Sequence, residues 1–255
     1  MRRIIYVPMI HEQENRVSNA NELFGLISEN VLFVKGDFEE KVNKHWEKVL
    51  SEWDKRIFRT RGLKIYSEGF TEESRKYLAY ISSPENFEDF RRSFEEQTVG
   101  KSIVFDSLIL RLIEGGAKFE VTEDKNLLAE GREALSRNIL FVSQLLVEVN
   151  RFSAEDLDQP MTVDEFDRWT RLKLAVEEGQ SRIRTITEKR DEFIAQQINQ
   201  GLEEGGTAIL FLGADHDPAR YLQKDIRVVL ISEEFRELVE TKEAHLFDGL
   251  LSKER

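Results

Sequence analysis

The chain has 255 residues, of which 40% are hydrophobic and 34% are charged, and its net charge at pH 7 is −12. These values predict a globular protein with a sizeable core and a heavily charged surface. The acidic balance argues against binding to a phosphate backbone, so nucleic acid is not an expected partner. The chain contains no cysteine, which excludes disulfides, thiolate catalysis and cysteine-ligated zinc.

The first predicted element is a buried strand over residues 4–10, and His11 stands at its exit. Pro8 predicts a bulge or a gap in the hydrogen bonding of this strand. The apolar run is short and no small-residue cleavage site follows it, so we interpret it as the first strand of a cytoplasmic protein and not as a leader. No apolar run reaches the roughly 18 residues of a membrane span, and no membrane partner is expected.

A second strand is predicted over residues 62–67, and an acid, Glu68, follows it directly. Gly69 supplies a turn before a helix that Thr71 would cap. A third strand is predicted at residues 118–121; Glu123 lies beyond it, where a simple loop is the favoured interpretation. The region from about 71 to 205 reads as mostly helical, and we expect it to form a cap or subdomain of a single α/β domain spanning residues 1–255.

A charged residue interrupts the apolar stripe of the helix that precedes the fourth strand. Arg190 lies on a stripe otherwise made of apolar residues, namely Ile183, Ile186, Phe193, Ile194, Ile198 and Leu202. Burying an unpaired guanidinium is costly, so Arg190 either meets a partner or reaches water along its stem. Thr162 and Glu165 form a predicted capping box for the helix before it, and Gly179 is predicted to separate the two helices.

The fourth strand is a continuous apolar run at residues 207–212, which is typical of a strand covered on both faces of a parallel sheet. It ends at Gly213, and His216 follows. Asp217 and Pro218 are suited to begin a short helix. A titratable imidazole is therefore expected just past the carboxyl end of a buried strand, where open α/β sheets bind ligands.

The predicted fold class is α/β, with a largely parallel central sheet flanked by many helices and a helical insertion in the middle of the chain. In such a sheet His11, Glu68 and His216 would converge on one edge, with Arg190 close by. Two imidazoles and a carboxylate are a ligand set for a divalent transition metal. Equally, a His and a Glu could activate water as general bases without a metal, while Arg190 stabilises negative charge or orients Glu68.

Four short motifs, in this order, resemble those of the TraB/Tiki/erythromycin-esterase-like (ChaN-like) superfamily. They are Pro8-Met-Ile-His11, Ser67-Glu68-Gly69, the arginine-bearing helix around Arg190, and Gly213-Ala-Asp-His216. The superfamily has glycine where Pro8 stands, which is a departure in the turn before His11. The remainder of the chain, from about residue 71 to 161, carries no motif of this superfamily.

The resemblance implies an α/β core with a polar cleft at the strand ends, and a hydrolase that cleaves an ester or peptide bond with water activated at a His/Glu site. It implies His11, Glu68, Arg190 and His216 as catalytic residues, with His11, Glu68 and His216 as ligands if a divalent transition metal takes part. A non-catalytic protein that binds haem, metal or a peptide in the same cleft, or a regulatory protein, is the alternative. The expected partners are a small-molecule or peptide substrate, with homo-oligomerisation left open.

Overall fold

A computed structural model describes residues 1–9, 44, 46–49, 51, 61–81, 86–92, 104–154, 162–213 and 216–231. The strands are β1 (Arg2–Met9), β2 (Lys64–Ser67), β3 (Lys118–Glu120), β4 (Thr207–Gly213) and β5 (Ile226–Leu230). The long helices are α1 (Glu72–Ile81), α2 (Val104–Glu114), α3 (Lys125–Ala154) and α4 (Val163–Gly201), and a 3₁₀ turn covers Pro218–Tyr221. Residues 46–49 and 86–92 are also helical.

The five strands form one parallel sheet in the order β3-β2-β4-β1-β5. Alternate residues of each strand face opposite sides, so the sheet has two apolar faces that need cover. Ile5, Ile65 and Phe211 belong to one buried cluster, which includes Leu108 and Leu112 of α2. The predicted α/β class, with a parallel sheet between helices, is confirmed.

The second face of the sheet packs against the last turns of α4. Tyr6, Tyr66 and Leu210 form a buried cluster with Ile194 and Ile198 of that helix. The apolar stripe that the periodicity of this helix predicted is therefore the side of α4 that packs against the sheet. Because these turns cross the central strands, they carry Arg190 to the carboxyl edge of the sheet.

Pro8 was predicted to cause a bulge or a gap in the hydrogen bonding of β1. The bulge does not occur, because β1 pairs with β4 without a break from Arg3 to Met9. Even-numbered residues of β1 face β5, as the bond from Ile231 N–H to the Tyr6 carbonyl shows. Pairing with β5 ends at Tyr6. The missing N–H of Pro8 therefore lies on the β5 side, at the point where that pairing ends, as the predicted gap in the hydrogen bonding requires.

The predicted break at Gly179 is also wrong, because α4 runs for 39 residues through it. Thr162 does form the predicted capping box with Glu165 at the start of this helix. Gly179 is instead a point of close approach to α3, since a Cβ built there would lie 2.3 Å from Oδ1 of Asn138. A glycine inside a helix can thus mark tight helix packing and not a helix end.

Helices α3 and α4 form an antiparallel pair that extends beyond the sheet. Residues 190–202 of α4 lie along the sheet, whereas residues 163–189 continue past its carboxyl edge beside α3. We call α3 with residues 163–189 the helical arm. Val142, Leu145 and Val176 form a separate buried cluster within it. At about 1.5 Å per residue, the α4 part of the arm is roughly 40 Å long.

Among the described residues, no helix is both long enough and apolar enough to span a membrane.

Candidate functional site

The candidate site lies where neighbouring strands of the sheet lead the chain in opposite directions. From β2 the chain proceeds outward to β3, whereas from β4 it proceeds across β1 to β5. Beyond the carboxyl ends of two such adjacent strands the connecting segments diverge, and the crevice between them is where α/β proteins bind ligands. Glu68 follows β2 directly and His216 follows β4 closely, so both residues are at this crevice.

Arg190 joins the exits of β2 and β3. Its Nη2 lies 3.1 Å from Oε1 of Glu68 and 2.5 Å from Oε1 of Glu123, and its Nε lies 3.1 Å from Oε2 of Glu123. The Glu123 side chain is fully buried. Burial lowers the pKa of the Arg190 guanidinium, but hydrogen bonds and negative charge from Glu123 and Glu68 outweigh it, and the pKa lies above its ordinary value. Arg190 is therefore a permanent cation in a largely buried position.

Glu68 is held from two sides. Besides the bond from Arg190 to Oε1, its Oε2 accepts the backbone N–H of Gly213 at 2.8 Å. The second bond ties the exit of β2 to the last residue of β4. Gly69 has φ +76°, so the chain turns sharply away from the sheet directly after Glu68. The carboxylate is thus fixed in position before any ligand arrives.

His216 is buried and its ring is oriented by Asp191, the neighbour of Arg190 on α4. Nδ1 of His216 lies 2.5 Å from Oδ1 of Asp191, and Oδ2 of Asp191 accepts the Asp217 N–H at 2.9 Å. Both residues are nearly inaccessible, with relative exposures of 4% and 2%. Since an ionised carboxylate only accepts hydrogen bonds, we assign the proton to Nδ1, and Nε2 then points away from Asp191.

Nε2 of His216 points toward Glu68, with 3.5 Å between it and Oε1. The side chains Asp191, His216, Glu68, Arg190 and Glu123 therefore form one continuous polar array across three strand exits. A proton at Nε2 can be exchanged close to a fixed carboxylate, while Asp191 compensates the charge that the imidazole gains. This is the arrangement that general acid–base chemistry requires.

The structure brings three of the four predicted site residues, Glu68, Arg190 and His216, into one array. Arg190 is largely buried, with 12% of its side chain exposed, and it is paired with carboxylates. The fourth, His11, lies outside the described residues. The last described residue before it, Met9, pairs with Gly213.

Sequence reasoning did not single out Asp191, and it favoured a simple loop for Glu123. In the structure these two carboxylates hold the other members of the array in place. A signal for Asp191 existed, because it lies three and seven residues before Ile194 and Ile198 and so shares their buried stripe. In the sequence, Glu123 is recognisable only as an acidic residue that follows a strand. Asp124 has the same feature, so the sequence does not distinguish the two.

The pair His216 and Glu68 has a spacing that suits a shared metal ion. Two ligands at about 2.1 Å from one ion, with a near-tetrahedral angle between them, lie about 3.4 Å apart; Nε2 and Oε1 are separated by 3.5 Å. Asp191 would then be the outer carboxylate that fixes a metal-binding imidazole. The described residues contain no group of three or more His, Cys, Asp or Glu that could hold a metal ion. A third ligand would have to come from water, substrate or His11.

Comparison with known protein families, curated proteins and solved structures finds no match to this chain. The resemblance to the TraB/Tiki/erythromycin-esterase-like superfamily therefore stays a prediction that rests on the four motifs.

Proposed function

We propose that the protein is a hydrolase that uses water, activated by His216 beside Glu68, to cleave an ester or peptide bond. The observation that supports this most strongly is the buried Asp191–His216–Glu68 array at the switch point of the sheet. A structural histidine needs only one partner, whereas this one has a carboxylate at each ring nitrogen. Such an arrangement is suited to moving a proton along the line of the array.

In the proposed reaction, Nε2 of His216 takes a proton from a water molecule that Glu68 orients. The hydroxide adds to the carbonyl carbon, and the tetrahedral intermediate collapses when the imidazolium returns the proton to the departing alcohol or amine. Asp191 balances the positive charge on the ring between these two steps. No covalent intermediate on the protein is needed, because water is itself the nucleophile.

The contacts of Arg190 favour an orienting role over direct stabilisation of an oxyanion. Its Nε and Nη2 donate to Glu123 and Glu68, so these donors are already engaged before substrate binds. Arg190 therefore holds Glu68 in place through a charge-assisted hydrogen bond. Its Nη1 donates to none of the described residues, and that group is the one that could face the developing negative charge.

A metal-assisted version of the same reaction is the second candidate, and the spacing between His216 and Glu68 favours it. These two residues would hold a divalent transition metal, with His11 as the predicted third ligand. A bound metal would supply Lewis acidity and a more acidic water. Metal content by mass spectrometry, on protein purified without chelator, distinguishes the two versions. About one equivalent that is lost in His216→Ala identifies the metal-assisted form.

The proposal is tested with a panel of ester and peptide substrates, assayed with the wild type and with His216→Ala. We expect the wild type to hydrolyse at least one class, and His216→Ala to lose on the order of 10³-fold or more in kcat. Glu192→Gln is the matched control on α4, because Glu192 is exposed. Equal rates in the wild type and His216→Ala, with both folded, would overturn the proposal.

A further inference from the structure

The side of α4 that packs against the sheet continues past the carboxyl edge. Ile194 and Ile198 are fully buried and define the direction in which this helix faces the sheet. Thr187 lies seven residues before Ile194 and eleven before Ile198, so at about 100° per residue it faces the same way to within roughly 20°. Along the helix axis it is roughly 5 Å further out than Arg190 and Asp191. Thr187 therefore faces the space directly above the carboxyl edge.

Thr187 also lies between the two directions in which α4 reaches the candidate site. It stands three residues before Arg190, which contacts the exits of β2 and β3, and four before Asp191, which contacts the exit of β4. Residues at these intervals are neighbours on a helix, with about 5–6 Å between their Cβ atoms. Seen along the axis, Thr187 is about 60° from Arg190 and about 40° from Asp191. It therefore faces the gap in which Nε2 of His216 meets Glu68.

Helix α3 packs against a different side of α4. Ile186 of α4 is 2% exposed and lies 3.5 Å from the position that a Cβ would have at Gly131 of α3. Gly179 of α4 approaches Asn138 of α3 in the same way. Both of these α4 residues are about 80–100° from Thr187 around the helix. Thr187 itself is half-buried, and α3 leaves the side of it that faces the crevice uncovered.

The hydroxyl of Thr187 is not used by the fold. A threonine inside a helix commonly donates a hydrogen bond to the carbonyl four residues earlier. Thr185, on the opposite side of α4, does so, with 3.0 Å between its Oγ1 and the carbonyl oxygen of Ser181. Thr187 forms no hydrogen bond with any of the described residues. Its hydroxyl, which can donate one hydrogen bond and accept two, is therefore available to a ligand.

The proposed hydrolysis needs hydrogen-bond donors for the oxyanion of the tetrahedral intermediate, and such sites usually combine more than one donor. The backbone N–H of Gly213 is engaged by Glu68, and that of His216 donates to the Gly213 carbonyl at 3.2 Å. Nε and Nη2 of Arg190 are engaged by carboxylates. Of these donors in the described part of the site, only Nη1 of Arg190 is left. A second donor has to come from a side chain that faces the same gap.

We propose that Thr187 is a further catalytic residue, whose hydroxyl donates a hydrogen bond to the carbonyl oxygen of the substrate. As water adds to the carbonyl carbon and gives its proton to Nε2 of His216, the π electron pair of the carbonyl moves to this oxygen. The hydrogen bond from Thr187 then strengthens, because the oxygen has become an anion. Nη1 of Arg190 is the second donor to the same oxygen. This inference rests on the proposed hydrolase function and adds the first turn of the helical arm to the site.

Steady-state kinetics on the best ester or peptide substrate of the wild type test the proposal. Thr187→Val keeps the shape of the side chain but removes the hydroxyl, and should lower kcat by about 10²- to 10³-fold with KM changed less than about threefold. Thr187→Ser keeps the hydroxyl and should stay within about tenfold of the wild type. Thr185→Val is the matched control, because it makes the same change on the opposite side of α4, and it should retain wild-type kcat and KM.

A second measurement reports on binding alone. A phosphonate analogue of that substrate resembles the tetrahedral intermediate, and it should bind to Thr187→Val about 10²-fold more weakly than to the wild type, as measured by calorimetry. Thr185→Val should bind it like the wild type. Thr187→Val is expected to fold, because valine has nearly the shape of threonine and the hydroxyl of Thr187 has no partner among the described residues.

The outcomes separate this inference from the proposed function. If His216→Ala is inactive but Thr187→Val retains the wild-type kcat and affinity for the phosphonate, Thr187 has no catalytic role and the proposed function stands. Equal losses in Thr187→Val and Thr187→Ser also overturn the inference, because a retained hydroxyl should rescue the rate. If the wild type hydrolyses no substrate, or His216→Ala is as active as the wild type, the proposed function fails and this inference fails with it.

Discussion

Two adjacent side chains of α4, Arg190 and Asp191, connect three separate strand exits. Arg190 reaches Glu68 after β2 and Glu123 after β3, and Asp191 reaches His216 after β4. None of these three contacts is local in sequence, since the paired residues are 122, 67 and 25 residues apart. A single helix turn therefore fixes the geometry of the whole candidate site.

At the residue scale, sequence alone could predict which side chains stand at strand exits but not which of them contact each other. Glu68 and His216 follow apolar runs, a pattern that periodicity detects. The role of Glu123 depends on strand order, because β3 must lie beside β2 for its exit to meet Arg190. Strand order is set by packing of distant segments, and no local pattern in the sequence encodes it.

The Arg190–Glu123 pair gives a prediction about stability. Glu123→Ala should lower the free energy of unfolding by about 3–5 kcal/mol, because it removes a fully buried partner and leaves the largely buried Arg190 guanidinium with only one carboxylate. Glu123→Gln keeps the shape and one acceptor and should cost less. Urea unfolding followed by circular dichroism measures both. If Glu123→Ala unfolds at the same urea concentration as the wild type, the pair does not stabilise the fold.

At the scale of elements, burial patterns predicted the sheet well and helix ends poorly. The apolar runs at β1 and β4 were correctly predicted as buried strands, because both faces of each are covered. Gly179 was interpreted as a helix end because glycine disfavours helix interiors. The contact with Asn138 shows the competing cause, since only a residue without a side chain lets α3 approach so closely.

Replacing a glycine inside a helix by alanine usually stabilises the helix, but the contact between Gly179 and Asn138 predicts the opposite here. Gly179→Ala should destabilise the protein by about 1–3 kcal/mol, because the new methyl group would overlap Asn138. Gly131→Ala is the matched control on α3: its Cβ would lie 3.5 Å from Ile186, an ordinary contact. That variant should gain about 0.5–1 kcal/mol from helix propensity. Thermal unfolding compares them, and equal shifts in both variants would refute the packing explanation.

In the molecule as a whole, the two edges of the sheet have different roles. The candidate site lies at the carboxyl edge, whereas contacts at the amino edge connect β1, β5 and the end of α4. There Arg2 bonds to Asp225 before β5 and to the carbonyls of Asn199 and Leu202 at the end of α4. One side chain thus secures β1, β5 and the helix that carries Arg190 and Asp191.

The contact between Arg2 and Asp225 predicts a dependence of the free energy of unfolding on pH. The hydrogen bond from Arg2 lowers the pKa of Asp225 below its ordinary value. The stabilising effect is therefore complete above the unfolded-state pKa of about 3.9, and it is lost as the pH falls through the folded-state value. Asp225→Asn should be less stable than the wild type at pH 7, with a smaller difference near pH 3. Urea midpoints at both pH values measure this; a difference that is independent of pH contradicts it.

The decisive measurement for the proposed role of His216 is kcat/KM of Asp191→Asn, on the best ester or peptide substrate of the wild type. Asparagine keeps the shape of Asp191 but cannot compensate the charge of His216, and it favours the wrong tautomer of the ring. We predict a loss of about 10³- to 10⁴-fold, mainly in kcat, while Glu192→Gln on the same helix retains wild-type values. If folded Asp191→Asn keeps the wild-type kcat/KM, the Asp191–His216–Glu68 array does not carry the chemistry.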